Sequence, residues 1–342
     1  MLTKEFDYNL PQSLIAQEPL KERDTSRLLI LDRKDGSLQE KRFKDIVDFF
    51  EAGDVLVLNQ TKVIPARIYG YKKTGAKIEV LLLEKKGDGI WEVLLKPSRR
   101  LKPGDELIFK QTSFTASVVE RRPKATWVLK FFPADTDELI FTKGSMPTPP
   151  YIKKELTEPE RYQTVYARSE GSVAAPTAGL HFTEELLERF KLKGVKVAYV
   201  ILHVGLGTFR SINAEAVEDH RMDEEYYEIS DTAAGIINKA KEQKRRVFAC
   251  GTSVVRALES EARKAGSLGR LTPGCERTEL FIYPGFRFKI VDSLITNFHV
   301  PRSTNLLLVS ALVGKDVILN AYRFAIERGY RFYSFGDAML IL

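Results

Sequence analysis

Between about residues 61 and 135 the chain consists of short apolar runs that are rich in β-branched and aromatic side chains. Turn-forming clusters of glycine, proline and charged residues separate these runs, and no helical period lies between them. Short, evenly spaced strands of this kind are typical of a small barrel or sandwich. The runs predicted as strands are IEVLLLE (78–84), IWEVLLK (90–96), ELIFK (106–110), FTASVVE (114–120) and TWVLKFF (126–132).

From about residue 160 onward the pattern changes to an alternation of amphipathic helices and continuous apolar strands. Thr183 predicts the start of a helix, and Gly194 ends that helix before the apolar strand 195–202. Further elements of the same kind are predicted as helices at 231–244, 303–313 and 316–328 and as a strand at 246–250. Such alternation favours a largely parallel, helix-covered sheet.

Two apolar runs near the amino terminus, RLLILDR (27–33) and DVLVLN (54–59), fit the same sheet, so the β-rich segment is predicted to be an insertion. We therefore predict an α/β fold with two domains. Residues 1–60 and 150–342 form a three-layer α/β/α domain with a largely parallel or mixed sheet. Residues 61–149 form an inserted small basic β-barrel domain and its proline-rich connector.

The composition limits the class of protein. Of the 342 residues, 44% are hydrophobic, which is enough for two sizeable cores. No apolar run approaches the ~20 residues of a membrane span, and the amino terminus lacks a signal-peptide pattern. We therefore expect a cytoplasmic protein without a membrane partner. The two cysteines show no C-x-x-C spacing and the four histidines no H-E-x-x-H spacing, so no metal site is expected.

Positive charge is concentrated in the β-rich segment. Residues 62–132 contain 16 Lys and Arg against 7 Asp and Glu, a surplus of nine in a chain whose formal net charge is +7. The rest of the chain therefore carries a net charge of −2. A basic module favours a polyanion partner, since contacts of Lys and Arg with phosphates give affinity that does not depend on sequence. A solvated lysine-rich surface would produce the same pattern.

Two stretches place a histidine among small residues: GSVAAPTAGLHF (171–182), which contains His181, and HVGLGTF (203–209), which begins with His203. Both lie next to predicted regular elements, and loops at strand ends are where open α/β sheets bind ligands. Small residues also let a ligand approach the backbone. We therefore predict a ligand site here, although each histidine taken alone could equally be structural.

Other stretches also carry groups suited to a ligand site. In CGTSVVR (250–256) a strand passes through glycine into a helix, whose start suits a carboxylate or a polarised oxygen. Simple helix capping is the alternative. TNFHVPRST (296–304) and DHRMDEEYYEI (219–229) concentrate polar side chains, and FGDAM (335–339) contains a turn. No P-loop, dinucleotide fingerprint or nucleophile triad is evident.

Taken together, these stretches resemble the S-adenosylmethionine:tRNA ribosyltransferase-isomerase family of queuosine biosynthesis, and the resemblance runs from one end of the chain to the other. The matching segments are FDYNLPQSLIAQ (6–17), DVLVLNQTKVIPARIYG (54–70), GSVAAPTAGLHF (171–182), HVGLGTFR (203–210), RVFACGTSVVRALE (246–259), ELFIYPGF (279–286), TNFHVPRSTNLLLVSAL (296–312) and YRFYSFGDAM (330–339). This chain has Asp223 where the family usually has a second histidine, and Ser253-Val254 where it usually has Thr-Ser.

The resemblance implies an α/β domain with an inserted β-barrel and a reaction in which S-adenosylmethionine donates its ribosyl group. The acceptor would be tRNA that carries 7-aminomethyl-7-deazaguanine, the product would be epoxyqueuosine-tRNA, and adenine and methionine would leave. S-adenosylmethionine is a consumed substrate, and no metal or redox cofactor is expected. We also expect the chain to be a monomer.

Two other classes of protein compete with this interpretation. A non-catalytic RNA-binding protein would explain the basic module, but it leaves unexplained why the ligand-type loops lie in the less basic domain. An S-adenosylmethionine-dependent RNA methyltransferase needs a glycine-rich turn after the first strand and an acidic strand end after it. The sequence contains no such pair.

The implied chemistry needs a base, an acid and the exclusion of water. We predict His181 and His203 as the acid–base pair, with Glu225 and Asp337 as alternatives, and a methionine carboxylate held near Thr252. The predicted substrate-binding residues are Asn59, Arg67, Thr177, Gly179, Gly205, Gly207, Thr208, Gly251, Thr252, Arg256, Asn297 and His299, where Arg256 would supply charge. The predicted tRNA-binding residues are Arg99, Arg100 and Lys102, which share one turn.

Charge reversal at Arg99, Arg100 and Lys102 is expected to weaken tRNA binding and to flatten its salt dependence. Each lost phosphate contact removes part of the counterion-release slope. Binding of S-adenosylmethionine is expected to change little, because a cation gains nothing from a positive surface. Binding measurements at several salt concentrations test this, and an unaltered tRNA affinity would show that the turn is a solvated face.

Overall fold

The computed structural model of the chain describes residues 1–205, 207, 211–264 and 269–342. In chain order the strands are β1 (Arg27–Leu31), β2 (Leu38–Arg42), β3 (Val55–Asn59), β4 (Thr61–Val63), β5 (Arg67–Lys72), β6 (Lys77–Gly87), β7 (Ile90–Lys96), β8 (Glu106–Ile108), β9 (Thr115–Arg121), β10 (Trp127–Phe132), β11 (Ser169–Ser172), β12 (Lys196–Leu202), β13 (Glu225–Ile229), β14 (Val247–Cys250), β15 (Gly274–Thr278), β16 (Ser293–Asn297) and β17 (Ala338–Ile341). The α-helices are α1 (Asp137–Lys143), α2 (Glu184–Leu192), α3 (Asp231–Glu242), α4 (Thr252–Lys264), α5 (Thr304–Val313) and α6 (Lys315–Glu327).

These residues divide into two units. The larger unit contains Met1–Lys62, Pro149–Ser169 and Ala175–Leu342. The smaller unit contains Val63–Thr148 and Glu170–Ala174. The sequence places the insertion at 61–149, whereas the smaller unit of the structure also includes a short later segment that overlaps the first of the two histidine-containing stretches.

The larger unit is built on one sheet with the strand order β15-β13-β12-β3-β14-β16-β17-β1-β2. The central strands β12, β3, β14 and β16 are mutually parallel. β17 runs antiparallel to β16, and β13, β15 and β2 also pair in antiparallel fashion. The sheet is therefore mixed, and the predicted α/β class is confirmed.

Helical segments cover both faces of this sheet. On one face, Leu56 and Leu58 of β3 pack with Phe190 of α2 in one apolar cluster. The residues that alternate with them, Val55 and Val57, are also buried. Because successive strand residues point to opposite faces, these two valines face the other side, where α3 and α4 contact β3, β12 and β14. The result is a three-layer arrangement.

The degree of burial of each strand explains whether an apolar run in the sequence predicted it. All residues of β3 (VLVLN) and β14 (VFAC) are buried, as expected for parallel strands covered on both faces. By contrast, β2 (LQEKR) and β15 (GCERT) are polar and mostly exposed. They form the two edges of the sheet, where polar residues discourage pairing with another chain. These two strands were not predicted because they lack an apolar run.

The smaller unit contains a closed antiparallel barrel with the strand order β10-β7-β6-β5-β8-β9. The rings of Phe109, Phe114 and Phe131 are buried and pack together within it. The five predicted strands all form, β5 completes the barrel, and the predicted inserted barrel is confirmed. Helix α1 was not predicted; its Asp137 accepts a hydrogen bond from Trp91 Nε1 at 3.0 Å.

The carboxyl ends of the parallel strands bring distant parts of the chain together at one edge of the sheet. β3 ends at Asn59, β12 at Leu202, β14 at Cys250 and β16 at Asn297. β17 runs in the opposite direction, so its first residue, Ala338, pairs with Asn297. The loops at these positions therefore share one region of the larger unit.

Within the described residues, no single helix combines the length and the apolar composition needed to cross a membrane. Taken together, α5 and α6 meet that test, but a bend of 113° separates them.

Candidate active site

A cavity lies at the carboxyl edge of the sheet in the larger unit; we call it the main cavity. Most of its wall comes from residues 251–253 after β14, residues 296–300 around the end of β16, and residues 175–178. It contains about 750 Å³ that protein atoms do not fill, part of which is open to solvent. Small-molecule sites commonly have ~300–1,000 Å³.

The starts of α4 and α5 lie in the wall of the main cavity. Gly251 connects β14 to α4 with a φ of +92°, a conformation that favours glycine, and Thr252 and Ser253 line the cavity. At α5, Ser303 lines the cavity and its Oγ accepts the N–H of Leu306 at 3.3 Å. The first N–H groups of a helix lack partners within it and carry partial positive charge, so both helix starts suit an anionic group.

A buried ion pair is the main charged feature of the wall. Arg256 of α4 donates through Nη1 to Oε2 of Glu225 at the start of β13. Glu225 Oε1 also accepts the N–H of Gly205 at 2.7 Å. The guanidinium further donates to the carbonyls of Leu280, at 3.0 Å, and Thr278, at 3.3 Å. Burial lowers the pKa of Arg256 to about 10. Arg256 was predicted to supply charge to the ligand, but Glu225 already balances that charge.

The side chain of Asn59, the last residue of β3, forms hydrogen bonds with β12, with α4 and with the start of β4 at the carboxyl edge of the sheet. Its Nδ2 donates to the carbonyl of Leu202 at 2.9 Å and to Ser253 Oγ at 3.2 Å. Its Oδ1 accepts the N–H groups of Leu202 and Thr61, both at 3.1 Å. These contacts use all four hydrogen-bonding positions of the amide, so Asn59 organises the edge from a buried position.

A chain of hydrogen bonds links the main cavity to His181. Thr177 Oγ1 donates to Asn297 Oδ1 at 3.2 Å, and both residues line the cavity. Asn297 Nδ2 lies 3.2 Å from His181 Nε2. An amide nitrogen can only donate, so Nε2 accepts, and the ring proton lies on Nδ1, 2.8 Å from Ser26 Oγ.

Two histidines near the cavity, the buried His181 and the half-buried His299, are neutral at neutral pH. Burial, together with the positive charges of Arg331 and Arg23, lowers the pKa of His181 to about 3. Burial lowers the pKa of His299 to about 3 as well, and its Nε2 lies 2.8 Å from Thr296 Oγ1. In the part of the chain that the structure describes, no three His, Cys, Asp or Glu side chains are grouped so that they could hold a metal ion.

Similarity to known proteins identifies the family. The family model described as "Queuosine biosynthesis protein" matches residues 3–341. The chain belongs to this family. It is 53% identical to the S-adenosylmethionine:tRNA ribosyltransferase-isomerase of Thermotoga petrophila over 342 residues, and 51% identical to that of Halothermothrix orenii over 344 residues; each match covers 100% of both chains.

A solved structure is also similar to this chain. The crystal structure of S-adenosylmethionine tRNA ribosyltransferase from Thermotoga maritima has a TM-score of 0.56 and 42% sequence identity. The match covers 99% of this chain and 100% of that chain. The family and the enzyme class predicted from the eight matching segments are therefore confirmed.

The two predicted catalytic histidines do not face each other. Nδ1 of His203 lies 2.8 Å from Thr61 Oγ1, and its ring stacks on Tyr226 with the centroids 5.4 Å apart. Leu202 and Val204 on either side of it line the main cavity, so strand-like alternation turns His203 away from that cavity. Instead of the predicted pair, the structure has two histidines with separate partners.

Asp337 organises a turn. Its Oδ1 accepts the N–H of Arg27 at 2.9 Å and its Oδ2 accepts the N–H of Arg331 at 2.8 Å. Burial raises the pKa of this carboxyl, and the two backbone hydrogen bonds oppose the rise. Asp337 lies outside the wall of the main cavity, so the structure favours the turn-forming role for this residue.

Two of the predicted ligand-binding glycines have close protein neighbours. A Cβ at Gly179 would lie 2.0 Å from the hydroxyl of Tyr166, and a Cβ at Gly207 would lie 2.6 Å from Asp223 Oδ2. Packing within the protein therefore accounts for both glycines without a ligand. The predicted Thr208 lies outside the described residues.

The remaining predicted residues belong to the smaller unit. Arg67 pairs with Glu79 through an Nε–Oε1 contact of 3.2 Å. Arg99, Arg100 and Lys102 are exposed on the turn between β7 and β8, where their side chains are accessible to a polyanion.

The wall of the main cavity also includes residues that were not among the predicted site residues, such as Tyr151, Tyr333 and Ser334. The hydroxyls of Tyr151 and Ser334 lie 2.8 Å apart, and the rings of the two tyrosines have centroids 4.7 Å apart. Tyr333 has a φ of +71°, which is rare for a bulky residue. Tyr333 and Ser334 lie in the family-matching segment YRFYSFGDAM (330–339), whereas Tyr151 lies in the proline-rich stretch GSMPTPPYIKK (144–154).

We expect the protein to lose stability as the pH falls below about 6.5, the usual pKa of histidine in an unfolded chain. The pKa values of His181 and His299 are lowered to about 3 in the folded state. Between these values the unfolded chain binds protons that the folded chain does not, so the free energy of unfolding decreases with decreasing pH.

Urea unfolding at pH 7 and pH 5 measures this effect. The decrease is expected to be smaller in the His181→Gln variant, because glutamine does not take up a proton on unfolding. Equal decreases in the wild type and the variant would contradict the neutral, buried state assigned to His181.

Proposed function

We propose that this chain catalyses a step of queuosine biosynthesis: it transfers the ribosyl group of S-adenosylmethionine to tRNA and isomerises it. The observation that carries the proposal is the 53% identity, over all of both chains, to an S-adenosylmethionine:tRNA ribosyltransferase-isomerase. The acceptor is the 7-aminomethyl group of 7-aminomethyl-7-deazaguanine in tRNA. The products are epoxyqueuosine-tRNA, adenine and methionine.

The proposed reaction rebuilds the five ribose carbons into a carbocycle. The sulfonium acidifies the C5′ protons, a base removes one of them, and the C5′ carbanion expels the ring oxygen from C4′. The ring-opened C1′ becomes an aldehyde as adenine leaves and takes up a proton. The tRNA amine adds to C4′ and loses a proton, the regenerated C5′ carbanion attacks C1′ to close the five-carbon ring, and the C1′ alkoxide then attacks C5′ to form the epoxide and displace methionine. These steps balance without an oxidant or a reductant, and we propose that no resident cofactor takes part.

The main cavity offers a position for the carboxylate of this donor. The start of α4, with Thr252 and Ser253, suits the carboxylate of S-adenosylmethionine. Arg256 holds Glu225 in place through its hydrogen bond, and we therefore propose Arg256 as a positioning residue.

Glu225 is the first candidate for the proton acceptor, because it is the one predicted catalytic residue of the four that lines the main cavity. Its carboxylate oxygens accept hydrogen bonds from Arg256 and from the N–H of Gly205, which fix its orientation. His181 is the second candidate. It is neutral and can accept a proton, but the amide of Asn297 occupies its Nε2, so that amide would have to turn away first.

We further propose that the chain acts as a monomer in the cytoplasm. All residues that line the main cavity belong to the larger unit of one chain, so the proposed donor site needs no residue from a second copy.

The purified protein is expected to release adenine and methionine from S-adenosylmethionine only when tRNA carrying the aminomethyl base is present. Chromatographic detection of both products tests this, with the same tRNA lacking the aminomethyl base as the control. Transfer of a methyl group to the RNA, or binding of tRNA without any product, would contradict the proposal.

The Glu225→Gln variant is expected to lower kcat by about 100-fold or more, the usual contribution of a general base. His181→Ala is expected to lower kcat as well, because it removes the partner of Asn297. His203→Ala is expected to have a smaller effect, since His203 lies outside the wall of the main cavity. Thermal unfolding of each variant separates loss of activity from loss of fold, and normal turnover by Glu225→Gln would exclude Glu225 as the base.

A further inference from the structure

A second, smaller cavity lies in the larger unit. It contains about 310 Å³ that protein atoms do not fill, and its wall includes Leu20, Arg23, Ser26, Arg161, His181 and Ser334. Ser334 also lines the main cavity, and His181 is hydrogen-bonded to Asn297 of that cavity. The two cavities are therefore neighbours, separated by these side chains.

Two half-buried arginines give this second cavity its charge. Every hydrogen bond that the structure describes for the Arg23 and Arg161 side chains ends on a main-chain carbonyl oxygen. Arg23 donates to the carbonyls of Gln163, Leu180 and Glu160, and Arg161 donates to those of Lys21 and Leu20. Among residues 1–205, 207, 211–264 and 269–342, no carboxylate lies within 4.0 Å of either guanidinium.

The carbonyl contacts hold both guanidinium groups in place, and carbonyl oxygens do not neutralise their charges. Each guanidinium has five N–H donors, so donors remain on both. Burial, and then the charge of Arg161, lowers the pKa of Arg23, while the Glu160 carboxylate opposes that change. The two positive groups therefore repel each other, and an anion between them would relieve the repulsion.

We infer that the second cavity binds a phosphodiester group of the RNA substrate through Arg23 and Arg161. Guanidinium groups match the oxygens of a phosphate with paired hydrogen bonds. A phosphate held here would fix the RNA strand next to the main cavity. The inference rests on the proposed function, since it takes tRNA as the substrate. The other anion of the reaction, the methionine carboxylate, already has a suitable position at the start of α4.

The first test uses the Arg161→Gln and Arg23→Gln variants. Each is expected to bind precursor tRNA about tenfold more weakly, the effect of losing a hydrogen bond to a charged group. The slope of log affinity against log salt concentration is expected to fall by about 1. The KM for S-adenosylmethionine is expected to stay unchanged. Arg189→Gln is the matched control, because Arg189 is exposed and also donates to a main-chain carbonyl, that of Lys44 at 2.8 Å.

The second test leaves the protein unchanged, and so it also applies if a variant fails to fold. Single phosphodiesters near the modified nucleotide of the tRNA are replaced one at a time by neutral methylphosphonates. One replacement is expected to weaken binding to the wild-type protein about tenfold, to have a smaller effect on Arg161→Gln, and to have no further effect on a variant that combines Arg23→Gln with Arg161→Gln.

The outcomes separate the inference from the proposed function. If the wild-type protein binds no tRNA, the proposed function fails. If it binds tRNA but neither arginine variant nor any methylphosphonate changes the affinity, the inference is overturned while the proposed function stands. A raised KM for S-adenosylmethionine with unchanged tRNA affinity would overturn it too, because the anion in the cavity would then be the carboxylate.

Discussion

Buried polar groups at the carboxyl edge of the sheet need partners from other strand ends, because an unpaired buried donor or acceptor costs about 1–3 kcal/mol. Asn59 shows how this requirement shapes the site. Its amide holds the backbone of Leu202 on one side and Ser253 on the other. β12, β3 and α4 are thereby joined at the position where the main cavity begins, so the shape of the cavity depends on this one fully bonded side chain.

Charged groups in the larger unit also need partners. Glu225 and Arg256 neutralise each other in the wall of the main cavity, and His181 and His299 are neutral. The second cavity is different, because carbonyl oxygens orient its two arginines without balancing them. A donor molecule that contains charges of both signs suits the first environment, and a phosphate suits the second.

Much of the fold could be predicted from local pattern. Thr183 caps α2 as expected, since its Oγ1 accepts the N–H of Leu186 at 3.1 Å, and the fully buried strands β3 and β14 were visible as apolar runs. The polar strands β2 and β15 were missed because they complete the edges through backbone pairing, which leaves no apolar signature. Helix α1 was missed because its seven residues, Asp137–Lys143, are too few to show a clear helical period.

The sequence by itself determined the family, the α/β class with an inserted barrel, and the stretches that contain the site. Motifs and local periodicity are properties of neighbouring residues, so a sequence displays them directly. Only the tertiary structure decided which side chains meet. Alternation at the end of β12 turned His203 away from the main cavity, and long-range contacts joined His181 to Ser26 and Glu225 to Arg256. The two residues of each pair lie far apart in the sequence. The order of the strands in the sheet brings them together, and the apolar pattern along the chain does not reveal that order.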